Sequence, residues 1–160
     1  MPFRFATAAT FAALLMVPSS GIAQVLMQRD VSLRMALTIA EAALAECGVN
    51  TSVAVVDRAG RLRVFLQGDG ASPHNLELAR RKAYTARTFG RTSAEWAKRT
   101  TEIPGLAAQR ELADVIALRG GVPIKIGDET IGAVGVSGAS AEGDEKCALA
   151  GVAKVADQLK

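Results

Sequence analysis

The stretch Gly68–Gly90, GDGASPHNLELARRKAYTARTFG, passes from a glycine-rich turn into a helix and holds the chain's only histidine. Ser72 can cap the first free amides, and Pro73 stands where a helix tolerates proline. A helix is therefore expected from Pro73 to near Gly90. Within it Leu76, Ala79, Ala83 and Ala86 recur in steps of three and four, a narrow stripe able to lie close against a sheet. His74, Leu78, Arg81 and Thr85 follow the same spacing on the opposite side. One imidazole, one aliphatic group, one guanidinium and one hydroxyl in a row suit a flat, partly apolar, anionic ligand. The same residues also suit a solvated helix face, so the pattern alone leaves both readings open.

Upstream, Leu62, Val64 and Leu66 alternate with Arg61, Arg63 and Phe65, the period of a strand with one polar side. The tight turn Asp57-Arg58-Ala59-Gly60 joins it to the β-branched run Val53, Val55 and Val56, giving an antiparallel hairpin. Before that, Ser32 can cap a helix with Leu33, Leu37, Ala40 and Leu44 on one side, and Gly48 ends it.

Downstream, Thr92-Ser93-Ala94-Glu95 is a capping box opening a helix that carries Trp96. Thr100 to Leu112 reads as a loop around Pro104-Gly105 with room for one further helical turn. Val115–Leu118, Val122–Ile126 and Ile131–Val136 are short apolar runs, each expected to be a strand, for five in all. Gly132 and Gly135 inside the last run mark close backbone approach or a bulge. A final helix is expected from Asp144-Glu145, with Ala148, Val152, Val155 and Leu159 on one face. This order specifies an α+β domain with an antiparallel sheet covered by helices.

Residues 1–23 read as an export signal: Arg4, an apolar run from Phe5 to Val17 too short to span a bilayer, and small residues at Gly21-Ile22-Ala23, with cleavage expected before Gln24. Residues 24–160 then form one domain in the periplasm or outside the cell. The formal charge of the whole chain is +3, and its basic residues are interspersed with acidic ones rather than blocked. Nucleic acid is not an expected partner, and no second apolar run approaches the length of a membrane span.

Cys47 and Cys147 are the only cysteines. In an oxidising compartment they can form a disulfide, and otherwise they are two buried thiols. If the first and last helices pack antiparallel on one side of the sheet, the two cysteines meet. One histidine and two cysteines do not make a structural zinc site. Nucleophile elbow, phosphate loop, dinucleotide fingerprint and metalloprotease motif are all missing from the sequence, and none of Asp57, Asp69, Asp114 or Asp144 is singled out as catalytic.

Taken together, VVDRAGRL, DGA, RRKAYTA followed by TFGRTS, GGVPI, IGAVGVSGA and GDEKCALAG resemble the GlcG/HbpS-like haem-binding family, also called haem-degrading or DUF336. The resemblance implies a profilin-like fold, with a five-stranded antiparallel sheet and helices on both faces in three layers. It also implies a homo-oligomer, dimer or larger, and haem or a related tetrapyrrole as ligand, bound, stored, sensed or degraded outside the cytoplasm. By position, the family's binding region falls on the helix holding Lys82, Ala83, Tyr84 and Thr85 and on the turn before it. Gln67-Gly68 replaces the common Arg-Met before Asp69-Gly70-Ala71.

The expected haem site is therefore His74 as axial ligand to the iron, Thr85 as a second candidate ligand, Arg81 and Lys82 toward the propionates, and Leu78 against the macrocycle. Two other readings stand beside it. One is an enzyme or accessory protein acting on a small hydroxy acid such as glycolate, held by Arg81 and the Gly120-Gly121 amides. The other is a structural oligomer whose interface is the outer face of the central helix.

Overall fold

The computed structural model describes residues 24–160; the expected export signal lies outside them. The first helix, α1 (Leu33–Cys47), begins and ends as its sequence dictates. The Ser32 hydroxyl accepts from the Met35 amide, and Gly48 closes the helix with a left-handed φ of 83° while its amide donates to Leu44. The hairpin follows as β1 (Ser52–Val56) and β2 (Leu62–Gln67), antiparallel, with Val53 opposite Leu66 and a bulge between Val55 and Val56.

The central helix, α2 (Asn75–Phe89), starts later than expected. Ser72 still contributes, but through its backbone carbonyl, which accepts from the Asn75 amide at 3.0 Å. The N-cap position falls to His74, whose side chain makes no capping bond. Helix α3 (Ser93–Glu102) has the full capping box, Thr92 and Glu95 bonding reciprocally. Pro104–Glu111, expected as loop, winds into a 3₁₀ stretch. Strands β3 (Gly121–Ile126) and β4 (Glu129–Ser137) form a second hairpin, and α4 (Ala141–Ala153) starts three residues before Asp144, capped by Ser140.

The sheet has four strands among the described residues, in the order β2-β1-β4-β3, all antiparallel. The expected fifth strand is a correction: Val115–Leu118 pairs with no strand. Its backbone is claimed by side chains of α2 instead. The Ile116 amide donates to the Thr85 hydroxyl at 2.8 Å, and the Val115 carbonyl accepts from the Arg81 guanidinium. Asp114, held at a left-handed φ of 66°, turns the chain just before it.

Period-two alternation divides the sheet between two helical layers. Val53, Val55, Val134 and Val136 point to the side of α1 and α4, where they join Ile39, Ala40, Ala43 and Ala148 in the main core. Val56 and Ala133 point the other way and pack on Ala83 and Ala86 of α2. There the helix backbone rides directly on the sheet: a Cβ added at Gly135 would stand 2.1 Å from the Ala79 carbonyl oxygen. The small-residue stripe thus faces the sheet at Ala79, Ala83 and Ala86, although Leu76 remains 44% exposed. Cys47 and Cys147 are joined in a disulfide that ties the end of α1 to α4.

Candidate functional site

At one end of the sheet, the turn preceding α2 meets the turn from β4 into α4. Asn75, at the start of α2, ties the turn between α1 and β1 to the end of β4, donating to the Asn50 carbonyl at 3.4 Å and accepting from the Ser137 hydroxyl at 3.3 Å. Gly138 takes a φ of 135°, and a side chain there would run into the Asn50 carbonyl oxygen at 2.3 Å. Glycine lets the turn after β4 close on the turn between α1 and β1.

Between the turn preceding α2 and the turn from β4 into α4 opens a recess of about 450 Å³. His74 and Leu78 line it from α2, Leu118 and Arg119 from the irregular segment before β3, and Lys82 and Asp144 from its inner end. His74 is exposed and Leu78 half-buried. Arg119, 40% exposed in its side chain, is shared between Glu142 and Glu145, each at 2.9 Å.

The inner end is built on charge. Lys82 donates to Asp144 at 2.7 Å and to the Val136 carbonyl at 3.0 Å, while Asp144 accepts the Ala139 amide at 2.9 Å through its other oxygen. Gly120, with a φ of 120°, leaves room for this arrangement; a Cβ there would come 3.1 Å from the ammonium. The pair is buried, paired and hydrogen-bonded, as a charge inside a protein must be.

His74, Leu78 and Lys82 are thus gathered on one recess, whereas Arg81 and Thr85 are not. Thr85 is fully buried, contrary to its expected outward position, and donates to the Arg81 carbonyl while receiving the Ile116 amide. Two of the groups named for a hydroxy acid are engaged as well. Arg81 holds Val115, and the Gly121 amide donates to Ser93 at 2.8 Å. Arg119, Asp144, Leu118 and Asn75 are among the lining residues that sequence reasoning missed as partners of this site. Asp144 was visible only as a carboxylate near a helix start, and nothing local announces its contact with Lys82, 62 positions away.

The described residues include no group of three or more His, Cys, Asp or Glu side chains able to hold a bare metal ion.

These features define an antiparallel α+β domain, with helices on both faces and an open recess at one end of its sheet. The chain belongs to the family of HbpS-like haem-degrading proteins, whose pattern matches residues 30–153. It is similar to a crystal structure of HbpS at 35% identity and a TM-score of 0.75, covering 81% of this chain and 93% of that one. A crystal structure of a Streptomyces reticuli HbpS double mutant is 33% identical with a TM-score of 0.73, covering 90% and 97%. A crystal structure of a PduOC:heme complex is 26% identical with a TM-score of 0.69, covering 77% and 93%. No curated protein matches the chain.

Proposed function

We propose that this protein is an exported haem-binding protein whose ligand enters the recess at His74. The observation that carries this reading is the placement of the only histidine at the mouth of a recess, unburied and not used as a helix cap. Haem, when bound, would supply an iron for an imidazole to ligate. His74 would hold that iron, and Leu78 and Leu118 would contact the macrocycle. Lys82, already engaged by Asp144, would act at the inner end rather than at the mouth.

Membership in a haem-degrading family and likeness to a heme complex support the ligand class. The disulfide supports export, because such bonds persist in oxidising compartments. The recess is open on one side, so a second copy of the chain would cover the exposed face of a macrocycle, consistent with a homo-oligomer.

Haemin titration of wild type and His74→Ala tests the reading. The wild type is expected to shift the Soret band at a one-to-one endpoint and the variant to lose that shift. A variant with the wild-type spectrum would remove His74 from the site.

A further inference from the structure

We infer that the hollow between the β1–β2 turn and the last turn of α2 is a second binding site, taking a ligand that carries a carboxylate or phosphate group on the guanidinium of Arg87, with Arg58 beside it. This site shares no lining residue with the recess at His74. Two adjoining cavities of about 280 and 250 Å³ both border on Arg58, Ala59 and Arg87.

The decisive observation is Arg87 itself. Among the described residues its guanidinium makes no hydrogen bond and no ion pair within 4.0 Å, and with Nε itself buried the terminal amino groups are the ones a ligand would meet. Burial, and then the charge of Arg58, draw its pKa below the usual arginine value. A half-buried cation facing a like charge costs free energy unless something compensates it.

The nearby carboxylates make no ion pair with it, and each accepts hydrogen bonds elsewhere, Asp30 through Oδ1 alone. Asp57 accepts the Ala59 and Arg61 amides and the Arg61 guanidinium. Asp30 accepts the Val31 and Arg58 amides. Glu129 is held by Arg58 and Arg29. Asp30 and Asp57 attract Arg87 through space without touching it.

The turn is also shaped for access. Gly60 has a φ of 78°, and a Cβ on it would press 2.8 Å from the ring of Tyr84. Glycine therefore seats the turn against that ring, which walls the second cavity. The two terminal amino groups of a planar guanidinium in a walled hollow match the two-oxygen edge of a carboxylate or phosphate.

The test is calorimetric titration of the purified protein at low ionic strength with inorganic phosphate and, separately, with succinate. Wild type, Arg87→Gln, His74→Ala and a control, Arg63→Gln on the exposed face of β2, are compared. At least one anion is expected to bind the wild type and raise its melting temperature. Arg87→Gln should weaken that binding about tenfold or more, while Arg63→Gln and His74→Ala leave it unchanged. The His74 comparison keeps this result independent of the haem reading. Binding of phosphate alone identifies a phosphate-bearing ligand, and binding of succinate alone a carboxylate. Without anion, Arg87→Gln should melt at or above the wild-type temperature, because it removes an uncompensated charge. No binding of either anion, equal losses in Arg87→Gln and Arg63→Gln, or a lower melting temperature with unchanged anion affinity would each overturn the site.

Discussion

Lys82 Nζ lies 2.7 Å from Asp144 Oδ2, and each side chain is only 4% exposed. The pair joins α2 to the first turn of α4 across the end of β4, where Lys82 also meets the Val136 carbonyl. Removing either partner leaves a buried charge without compensation, which costs far more than the pair contributes over an apolar substitute. Lys82→Met and Asp144→Asn are each expected to lose about 3–5 kcal/mol in urea unfolding. The double variant Lys82→Met/Asp144→Asn should lose clearly less than the sum. Additive losses would mean that the two groups are independent.

The disulfide should be a larger single contributor than any surface ion pair. It closes a loop with a sequence separation of 100, for which loop-closure entropy predicts about 4–5 kcal/mol. The Cys47→Ala/Cys147→Ala variant should show that loss against the untreated protein. Reductant should lower the wild-type urea midpoint and leave the variant's unchanged. Equal midpoints for wild type with and without reductant would show that the cross-link adds nothing.

Local signals were readable where both partners lie close in sequence. Ser32 with Gly48, Thr92 with Glu95, and the Asp57–Gly60 turn each carry their own structural instruction, and each is realised. The fifth strand failed because an apolar run shows that a segment is buried, not what will satisfy its backbone. Thr85 and Arg81, on a helix some thirty residues earlier, take the hydrogen bonds that a neighbouring strand would have made. The same contacts explain why half of the expected ligand face of α2 is absent from the recess. A helical wheel separates faces by angle, but it cannot show that an irregular segment will cover one of them. Asp144 was unreadable for the same reason: its partner becomes a neighbour only once both helices are docked.

Glycine in β4 was legible, and its importance is measurable. A Cβ at Gly135 would stand 2.1 Å from the Ala79 oxygen and 2.5 Å from the Ala83 nitrogen, both backbone atoms of a docked helix. Neither can yield without α2 lifting from the sheet. Gly135→Ala is expected to cost about 3 kcal/mol or more in chemical denaturation, at or beyond the upper end for overpacking. Gly105→Ala, where a Cβ meets nothing within 4 Å, should stay within about 0.5 kcal/mol of wild type. A mild effect at Gly135 would show that α2 does not rest on the sheet this closely.

Asp57 sets an acid limit on stability. Burial by itself pushes its carboxyl pKa up, but the amides of Arg61 and Ala59 together with the Arg61 guanidinium outweigh burial and hold it below the ordinary value. A depressed folded-state pKa stabilises the protein above the unfolded value, about 3.9 for aspartate, and that contribution disappears as pH falls through the folded value. The urea midpoint should therefore fall as the pH drops below about 4. The two amide bonds matter more than the ion pair, because the Arg61 side chain is 74% exposed and water screens its charge. Arg61→Gln should cost less than about 1 kcal/mol. Asp57→Asn, which keeps one acceptor oxygen but loses the charge that strengthens these bonds, should cost about 1–3 kcal/mol at pH 7. Its midpoint should also fall less steeply with acid, since the titrating group is gone. Parallel acid slopes for wild type and Asp57→Asn would assign the acid sensitivity to other carboxylates.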